Sequence, residues 1–139
     1  MKWHHYLVPL LLSVVLAACR SAGDPAPRAV ELNQDIQLAA GERAVFGPER
    51  LDLAFVRVVE DSRCPSDSTC VWAGEVKVQL STRTGAAEAV SHEVVAGQQA
   101  AFGEWRVLVV QVQPERISTR AIAPEEYKAT LRVERVTPI

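Results

Sequence analysis

The chain has 139 residues, 48% of them hydrophobic, and a formal net charge of −2. This length allows one domain of ordinary size that buries a real core. The mildly acidic balance, with both signs of charge mixed along the chain, gives no electrostatic case for a nucleic-acid partner.

The N-terminus, MKWHHYLVPLLLSVVLAAC, has the features of an export signal. Lys2 precedes an apolar run, Tyr6 to Ala17, which is shorter than the roughly 20 residues that a membrane-spanning helix needs. Such a run is typical of the hydrophobic region of a secretory signal. It ends in Leu-Ala-Ala-Cys19, which resembles the lipobox of bacterial lipoproteins. The resemblance implies cleavage before Cys19 and lipid attachment to it; the alternative is an ordinary signal peptide that happens to precede a cysteine.

Three segments are therefore expected. Residues 1–18 form a lipoprotein signal peptide, residues 19–29 contain the lipidated Cys19 and a flexible, proline-rich tether, and residues 30–139 form one domain. The lipid makes the membrane an expected partner, because several acyl chains on one residue anchor firmly. Lipoproteins with an Asp directly after the lipidated Cys are commonly retained at the inner membrane. Because Arg20 occupies that position here, the resemblance implies a cell-envelope location at the outer membrane, facing the periplasm.

The domain is predicted to be almost entirely β-strand. Apolar and polar residues alternate strongly in 51–58, 75–80, 89–95, 105–113 and 127–134, and more weakly in 34–38 and 42–47. Turns rich in Gly and Pro separate these segments. About seven antiparallel strands without a helical period predict an all-β fold: a single β-sandwich, with an immunoglobulin-like one as first choice, or a small barrel. A short helical turn is expected from Pro124, because proline favours a first helical position.

Two cysteines remain after lipidation, and both lie in DSRCPSDSTCVWAGE, residues 61–75. Because thiols pair in an oxidising compartment, these two cysteines are predicted to form one disulfide, Cys64–Cys70. Zinc would need more Cys or His ligands than these two and His92. A redox Cys-x-x-Cys motif has a shorter spacing. The loop oxygens of Asp61 and Asp67 lack the spacing of a calcium loop. We therefore expect no metal and no cofactor.

Within the loop, the residue types predict a polar turn between two strands. Pro65 restricts the backbone and Asp67 is a turn former. Arg63 is expected to hydrogen-bond loop carbonyls or to pair with Glu75, with a solvated side chain as the plain alternative. Trp72 is expected to plug the end of the β-core, with ligand binding as the alternative. If the loop binds a partner, the candidate residues are Asp61, Arg63, Pro65, Asp67, Trp72 and Glu75.

The motif DSRCP, residues 61–65, followed by CVWAG, residues 70–74, resembles a loop of small bacterial secreted proteins and lipoproteins whose function is not established. These proteins share a late P…Y-x-A-T-L-x-V ending, which here runs from Pro124 to Val133. The resemblance covers most of the domain. It implies the fold and brings no activity with it.

Catalytic signals are weak in this sequence. His92, the only histidine after the signal segment, adjoins Ser91 on a strand, and neighbouring strand residues point to opposite faces. The chain has no glycine-rich phosphate loop. We expect a membrane-anchored, non-catalytic binding module that presents the 61–75 loop to an unknown protein or small molecule. The alternatives are a structural or envelope-assembly lipoprotein and, less favoured, an inhibitor of an exported hydrolase.

Overall fold

The computed structural model describes residues 26–48 and 50–137, and this part of the chain forms nine strands and one short helical turn. The predicted signal peptide, the lipid on Cys19 and most of the tether lie outside the described residues. The strands are β1 (Arg28–Val30), β2 (Asp35–Ala39), β3 (Arg43–Phe46), β4 (Leu51–Asp61), β5 (Val76–Thr84), β6 (Val90–Val95), β7 (Gln99–Phe102), β8 (Trp105–Gln113) and β9 (Lys128–Arg135).

The strands form two sheets that pack face to face without closing into a barrel. One sheet has the order β1-β3-β4-β5-β6 and the other has the order β2-β9-β8-β7. The predicted all-β sandwich is confirmed, with two short strands, β1 and β7, that the alternation pattern did not reveal. All strand pairs are antiparallel except β1 and β3. Consecutive strands β3 to β6 and β7 to β9 lie side by side, whereas an immunoglobulin domain interleaves strands from distant parts of the chain.

The core lies between the sheets and follows the predicted alternation. Val76, Val78 and Leu80 of β5 point inward together and are buried. In β8 a register shift between Val109 and Gln111 inserts an extra residue opposite β9. This bulge reverses the alternation. Val112 is therefore buried and Gln111 is exposed, whereas unbroken alternation over 105–113 would put Gln111 on the same face as the buried Trp105, Val107 and Val109.

The two ends of the sandwich have different characters, and we name them the loop end and the open end. β4 runs toward the loop end, where residues 61–75 connect it to β5. The turns 85–89 and 103–104 lie at the open end. Because β1 runs parallel to β3 and antiparallel to β4, the chain before Arg28 approaches from the loop end. β1 also begins inside the segment expected to be tether, two residues before the predicted start of the domain at Val30.

The predicted helical turn is present as a 3-10 turn, Pro124–Glu126, with Pro at its start. The Glu126 carboxylate accepts a hydrogen bond from the backbone N–H of Ala123 at 2.8 Å and pairs with Arg120. This turn leads into Tyr127 and β9. Within the described ranges, no helix is long and apolar enough to cross a membrane.

Candidate functional site

The segment between β4 and β5, residues 61–75, is named the stapled loop because a disulfide closes it. Cys64 and Cys70 are bonded, with their Cα atoms 5.8 Å apart, which confirms the predicted bridge. The base of the loop continues the β4–β5 hairpin: Ser62 N–H donates to the Glu75 carbonyl at 2.8 Å, and Cys64 N–H donates to the Ala73 carbonyl at 2.9 Å. The disulfide therefore holds a turn between two antiparallel strands, as the sequence predicted.

Gly74 is required where the loop returns to β5. Its φ is +68°, in the left-handed region that favours glycine. A β-carbon at this position would overlap the backbone carbonyl of Ser62, on the opposite side of the hairpin. The close approach of the two loop arms thus depends on the missing side chain.

Arg63 pairs with Asp61 rather than with Glu75, which corrects the expected partner. Arg63 Nε donates to Asp61 Oδ1 at 2.7 Å, and Nη2 donates to Oδ2 at 2.6 Å. The same guanidinium donates to the carbonyl of Val112 at 2.8 Å and to that of Pro114 at 3.0 Å. The carbonyls it bonds belong to the end of β8 and the residues after it, not to the loop. The guanidinium is therefore a bridge between the two sheets.

Tyr127 completes this network from the start of β9. Its hydroxyl donates to Asp61 Oδ2 at 3.0 Å. Burial raises the pKa of Asp61, but the hydrogen bonds and charge of Arg63, together with the Tyr127 hydroxyl, outweigh it and hold that pKa below its ordinary value. Burial and the neighbouring carboxylate raise the pKa of Tyr127. Asp61 is therefore an ionised anchor for both side chains at neutral pH.

A second set of contacts ties the loop to the segment after β8. Ser66 N–H donates to the Arg116 carbonyl at 2.8 Å, and Arg116 Nη1 donates to the Arg63 carbonyl at 2.7 Å. Asp67 accepts from the backbone N–H of Ser118 at 2.9 Å and from its hydroxyl at 2.6 Å, and these bonds lower the pKa of Asp67. Asp67 is thus a docking residue as well as a turn former. The loop is held covalently and by contacts on both sides.

Trp72 does not plug the core, so that interpretation is wrong. Its side chain is 81% exposed, and the adjacent Val71 is 94% exposed. Other side chains, Val76, Val112 and Tyr127, are buried at the loop end of the sandwich. With the core closed by those residues, Trp72 projects from the stapled loop into solvent.

A groove of about 530 Å³ lies beside the loop, between Ala73 and the exposed Val110 of β8. Arg63 and Arg116 line its polar side. Within the described ranges Arg116 has no carboxylate partner. The groove and the exposed Val71–Trp72 pair together form the candidate binding surface.

The sequence-predicted loop residues lie close together, but they have different roles. Three of them hold the loop in place: Asp61, Arg63 and Asp67. The carbonyl of Pro65 accepts the hydrogen bond of a turn from Ser68 N–H at 3.1 Å. The side chain of Glu75 is exposed, and only its backbone contacts Ser62. Sequence reasoning did not assign Arg116, Ser118 or Tyr127 to the site. Their contacts span about 50 positions or more, and no local pattern encodes such a pairing.

His92 lies in the other half of the molecule. Ser91 and His92 face opposite sides of β6, as expected: Ser91 accepts a hydrogen bond from Gln79 at 2.7 Å, while His92 Nε2 lies 2.9 Å from the hydroxyl oxygen of Thr82. The described residues contain no group of three or more His, Cys, Asp or Glu side chains that could hold a metal ion. No known protein family, curated protein or solved structure matches the chain.

Proposed function

We propose that the protein is a lipid-anchored, non-catalytic binding module of the bacterial cell envelope, which presents Val71 and Trp72 to a protein partner. The observation that carries this proposal is the exposure of these two adjacent hydrophobic residues, 94% and 81%, on a loop held by a disulfide. Tryptophan is among the residues that most often dominate the binding energy of protein interfaces.

The rigidity of the loop supports recognition. An interface pays free energy for every loop that it must order, and a loop already held in its bound shape avoids most of that cost. Here the bridge Cys64–Cys70, the Arg63–Asp61 pair and the Asp67–Ser118 contacts hold the segment that carries Trp72.

The shape and charge of the surface indicate the kind of partner. Val71 and Trp72 protrude, so they suit an apolar cleft, and the active-site cleft of an exported hydrolase is one partner of this type. Glu75 carries an exposed carboxylate without a side-chain partner in the described part of the chain. Arg116, in the adjacent groove, carries a positive charge without a carboxylate partner in the described ranges. The surface therefore favours a partner whose rim carries charges of both signs, since complementary rim charges raise the association rate and specificity.

The expected tether is short, which supports a partner close to the membrane. Residues 19–27 reach at most about 30 Å when fully extended. A lipid on Cys19 would therefore hold Arg28, at the start of β1, within about 30 Å of the bilayer surface. Integral or lipid-anchored envelope proteins are the partners within this reach.

A site-specific photo-crosslinking experiment tests the recognition surface. A photoreactive phenylalanine analogue replaces Trp72 in the full chain, and the matched control places it at Val56, which is 39% exposed on β4. We expect one dominant, stoichiometric adduct from position 72 and none of that mass from position 56. The adduct should disappear when Cys64→Ser and Cys70→Ser are added. The same adducts from both positions would contradict recognition by the loop.

The anchor has its own test. Cys19→Ser should abolish fatty-acid labelling and release the protein from the membrane fraction, because Cys19 is the residue that the lipobox resemblance assigns to the lipid. Wild-type protein that takes up no fatty acid, together with a variant that still fractionates with membranes, would refute the lipid anchor. That outcome would leave the crosslinking result at position 72 intact.

A further inference from the structure

The sandwich is open on its inner side at the end opposite the stapled loop. Val94, His92 and Val90 of β6 all face the other sheet, because they lie beside the inward residues Val78, Leu80 and Thr82 of β5. Val94 is 4% exposed, His92 is half-buried and Val90 is 54% exposed. The space between the sheets is therefore open to solvent at the β6 edge of the open end, while Leu51 and Trp105 at the same end stay buried.

A cleft of about 370 Å³ occupies this opening, and we name it the His92 cleft. Its volume lies within the range of small-molecule sites. Its walls are mainly apolar, and the His92 and Phe102 rings stack across the gap between the sheets with centroids 3.8 Å apart. The lining of the cleft includes Leu51, Thr82, Val90, His92, Phe102 and Trp105.

Thr82 sets the hydrogen-bonding state of His92. It is the one buried polar residue within the described ranges, and its hydroxyl has a single partner there, the His92 Nε2 at 2.9 Å. The contact itself allows either direction, and we assign Thr82 as the donor to Nε2, because its hydroxyl proton would otherwise have no partner. Burial lowers the pKa of His92, which favours the neutral ring. The single ring proton of neutral His92 is then on Nδ1.

Nδ1 is a free donor in the cleft. No described residue bonds to it, and no side-chain nitrogen or oxygen of the described residues is both buried and without a partner. Nδ1 must therefore be accessible to solvent. An apolar cleft with one accessible donor is complementary to an apolar molecule with one acceptor.

The charges at the rim are nearly balanced. Arg83 and Arg43 share Asp52, at 2.8 Å and 3.7 Å, and the one additional carboxylate that lines the cleft is that of Glu88, which has no partner in the described part of the chain. The apolar walls, rather than the rim, disfavour an anion, because a carboxylate or phosphate placed against them loses its hydration without gaining a charged partner.

We propose that the His92 cleft binds a small, uncharged, largely aromatic molecule whose hydrogen-bond acceptor receives the proton of His92 Nδ1. The apolar part lies against Leu51, Val90, Phe102 and Trp105, and the acceptor contacts the imidazole. This site is at the opposite end of the sandwich from the stapled loop. The proposed ligand binding at this site is therefore tested independently of the proposed recognition by Trp72.

Two isosteric probes test the proposal, neutral benzamide and anionic benzoate, each titrated into the full chain at neutral pH. NMR should show saturable shifts of the His92 ring and of Val90 with benzamide, and affinity for benzoate roughly two- to fivefold weaker. His92→Ala should abolish the benzamide response, whereas Ser91→Ala, on the outer face of the same strand, should keep it. His92 signals are assigned by their absence in the His92→Ala spectrum.

Three results would overturn the proposal. In the first, benzamide leaves the His92 and Val90 signals of the wild type unchanged at saturating probe. In the second, benzoate binds as tightly as benzamide. In the third, the folded His92→Ala variant binds benzamide with unchanged affinity. The first result is decisive even where His92→Ala fails to fold, because it is measured on the wild-type chain.

Discussion

Arg63 and Asp61 form a two-point pair, with Nε to Oδ1 at 2.7 Å and Nη2 to Oδ2 at 2.6 Å, and this pair joins the two sheets of the sandwich. Asp61 ends β4 in one sheet, whereas the carbonyl of Val112 that Arg63 also binds belongs to β8 in the other. Two-point arginine–carboxylate pairs have a defined geometry as well as a favourable energy. The pair thus positions the base of the stapled loop relative to the whole core.

The Tyr127 hydroxyl contributes a separable part of this network. Tyr127→Phe removes only the 3.0 Å hydrogen bond to Asp61 and keeps the buried ring. We expect the free energy of unfolding to fall by about 1 kcal/mol, the usual net value of one such bond. Urea denaturation should show a lower midpoint with an unchanged slope. An unchanged midpoint would show that Asp61 is held by Arg63 alone.

The same network predicts an acid-sensitive contribution to stability. The folded pKa of Asp61 lies below its unfolded value, so its contribution is fully present above about pH 4 and is lost as pH falls through the folded pKa. Asp61→Asn should flatten the fall of the unfolding free energy below pH 4. Asp67, whose pKa Ser118 lowers, acts in the same pH window, so part of the slope should persist. An identical pH profile in wild type and variant would contradict this assignment.

Alternation in the sequence was sufficient to predict most of the fold. The pattern of β5 and β9 places apolar residues on one face, and a sandwich buries one face of every strand. β1 and β7 escaped prediction because they are short and do not alternate clearly between polar and apolar residues: β7 reads QAAF, and β1 reads RAV after a proline-rich segment. The bulge in β8 escaped as well, since an extra residue changes the side-chain direction without any mark in the residue types.

The site was only partly predictable, for a different reason. The bridge Cys64–Cys70 could be predicted by counting the cysteines that remain after Cys19, because their pairing requires no knowledge of distant segments. The carbonyl partners of Arg63 and the Ser118 partner of Asp67 lie about 50 positions away, where only the packing of the two sheets brings them near. The exposure of Trp72 follows from the packing of Val76, Val112 and Tyr127 at the loop end of the core, and this packing depends on tertiary contacts that the local sequence does not encode.

Gly74 offers a sharp test of the loop geometry. Gly74→Ala introduces a β-carbon at φ +68° that overlaps the Ser62 carbonyl, whereas Gly85→Ala, at φ +57°, meets no atom within 4 Å. We expect roughly 1 kcal/mol of destabilisation at Gly85 from backbone strain alone, and at least about twice that at Gly74. Thermal or urea unfolding of the two variants measures the difference. Equal losses would show that the loop arms can separate without cost.

The disulfide should stabilise the loop more than the fold. Closing the ring from Cys64 to Cys70 removes about 2–2.5 kcal/mol of unfolded-state entropy, whereas a domain of this size has a total stability of roughly 5–15 kcal/mol. Cys64→Ser with Cys70→Ser should therefore give a folded protein that unfolds at lower urea.

The remaining contacts define where this variant loses order. In this variant Asp61 and Val112 still hold Arg63, and Ser118 still holds Asp67. Amide hydrogen exchange should therefore stay slow at Ser62 and at the substituted position 64, and it should become faster mainly between Ser68 and Trp72. Trp72 should then sample many orientations, and the crosslinked adduct from position 72 should be lost at an unchanged global fold. Two free thiols in wild-type protein taken from its oxidising compartment would refute the bridge. A persistent adduct in the variant would show that recognition does not need the staple, because the Arg63 and Asp67 contacts alone suffice to present Trp72.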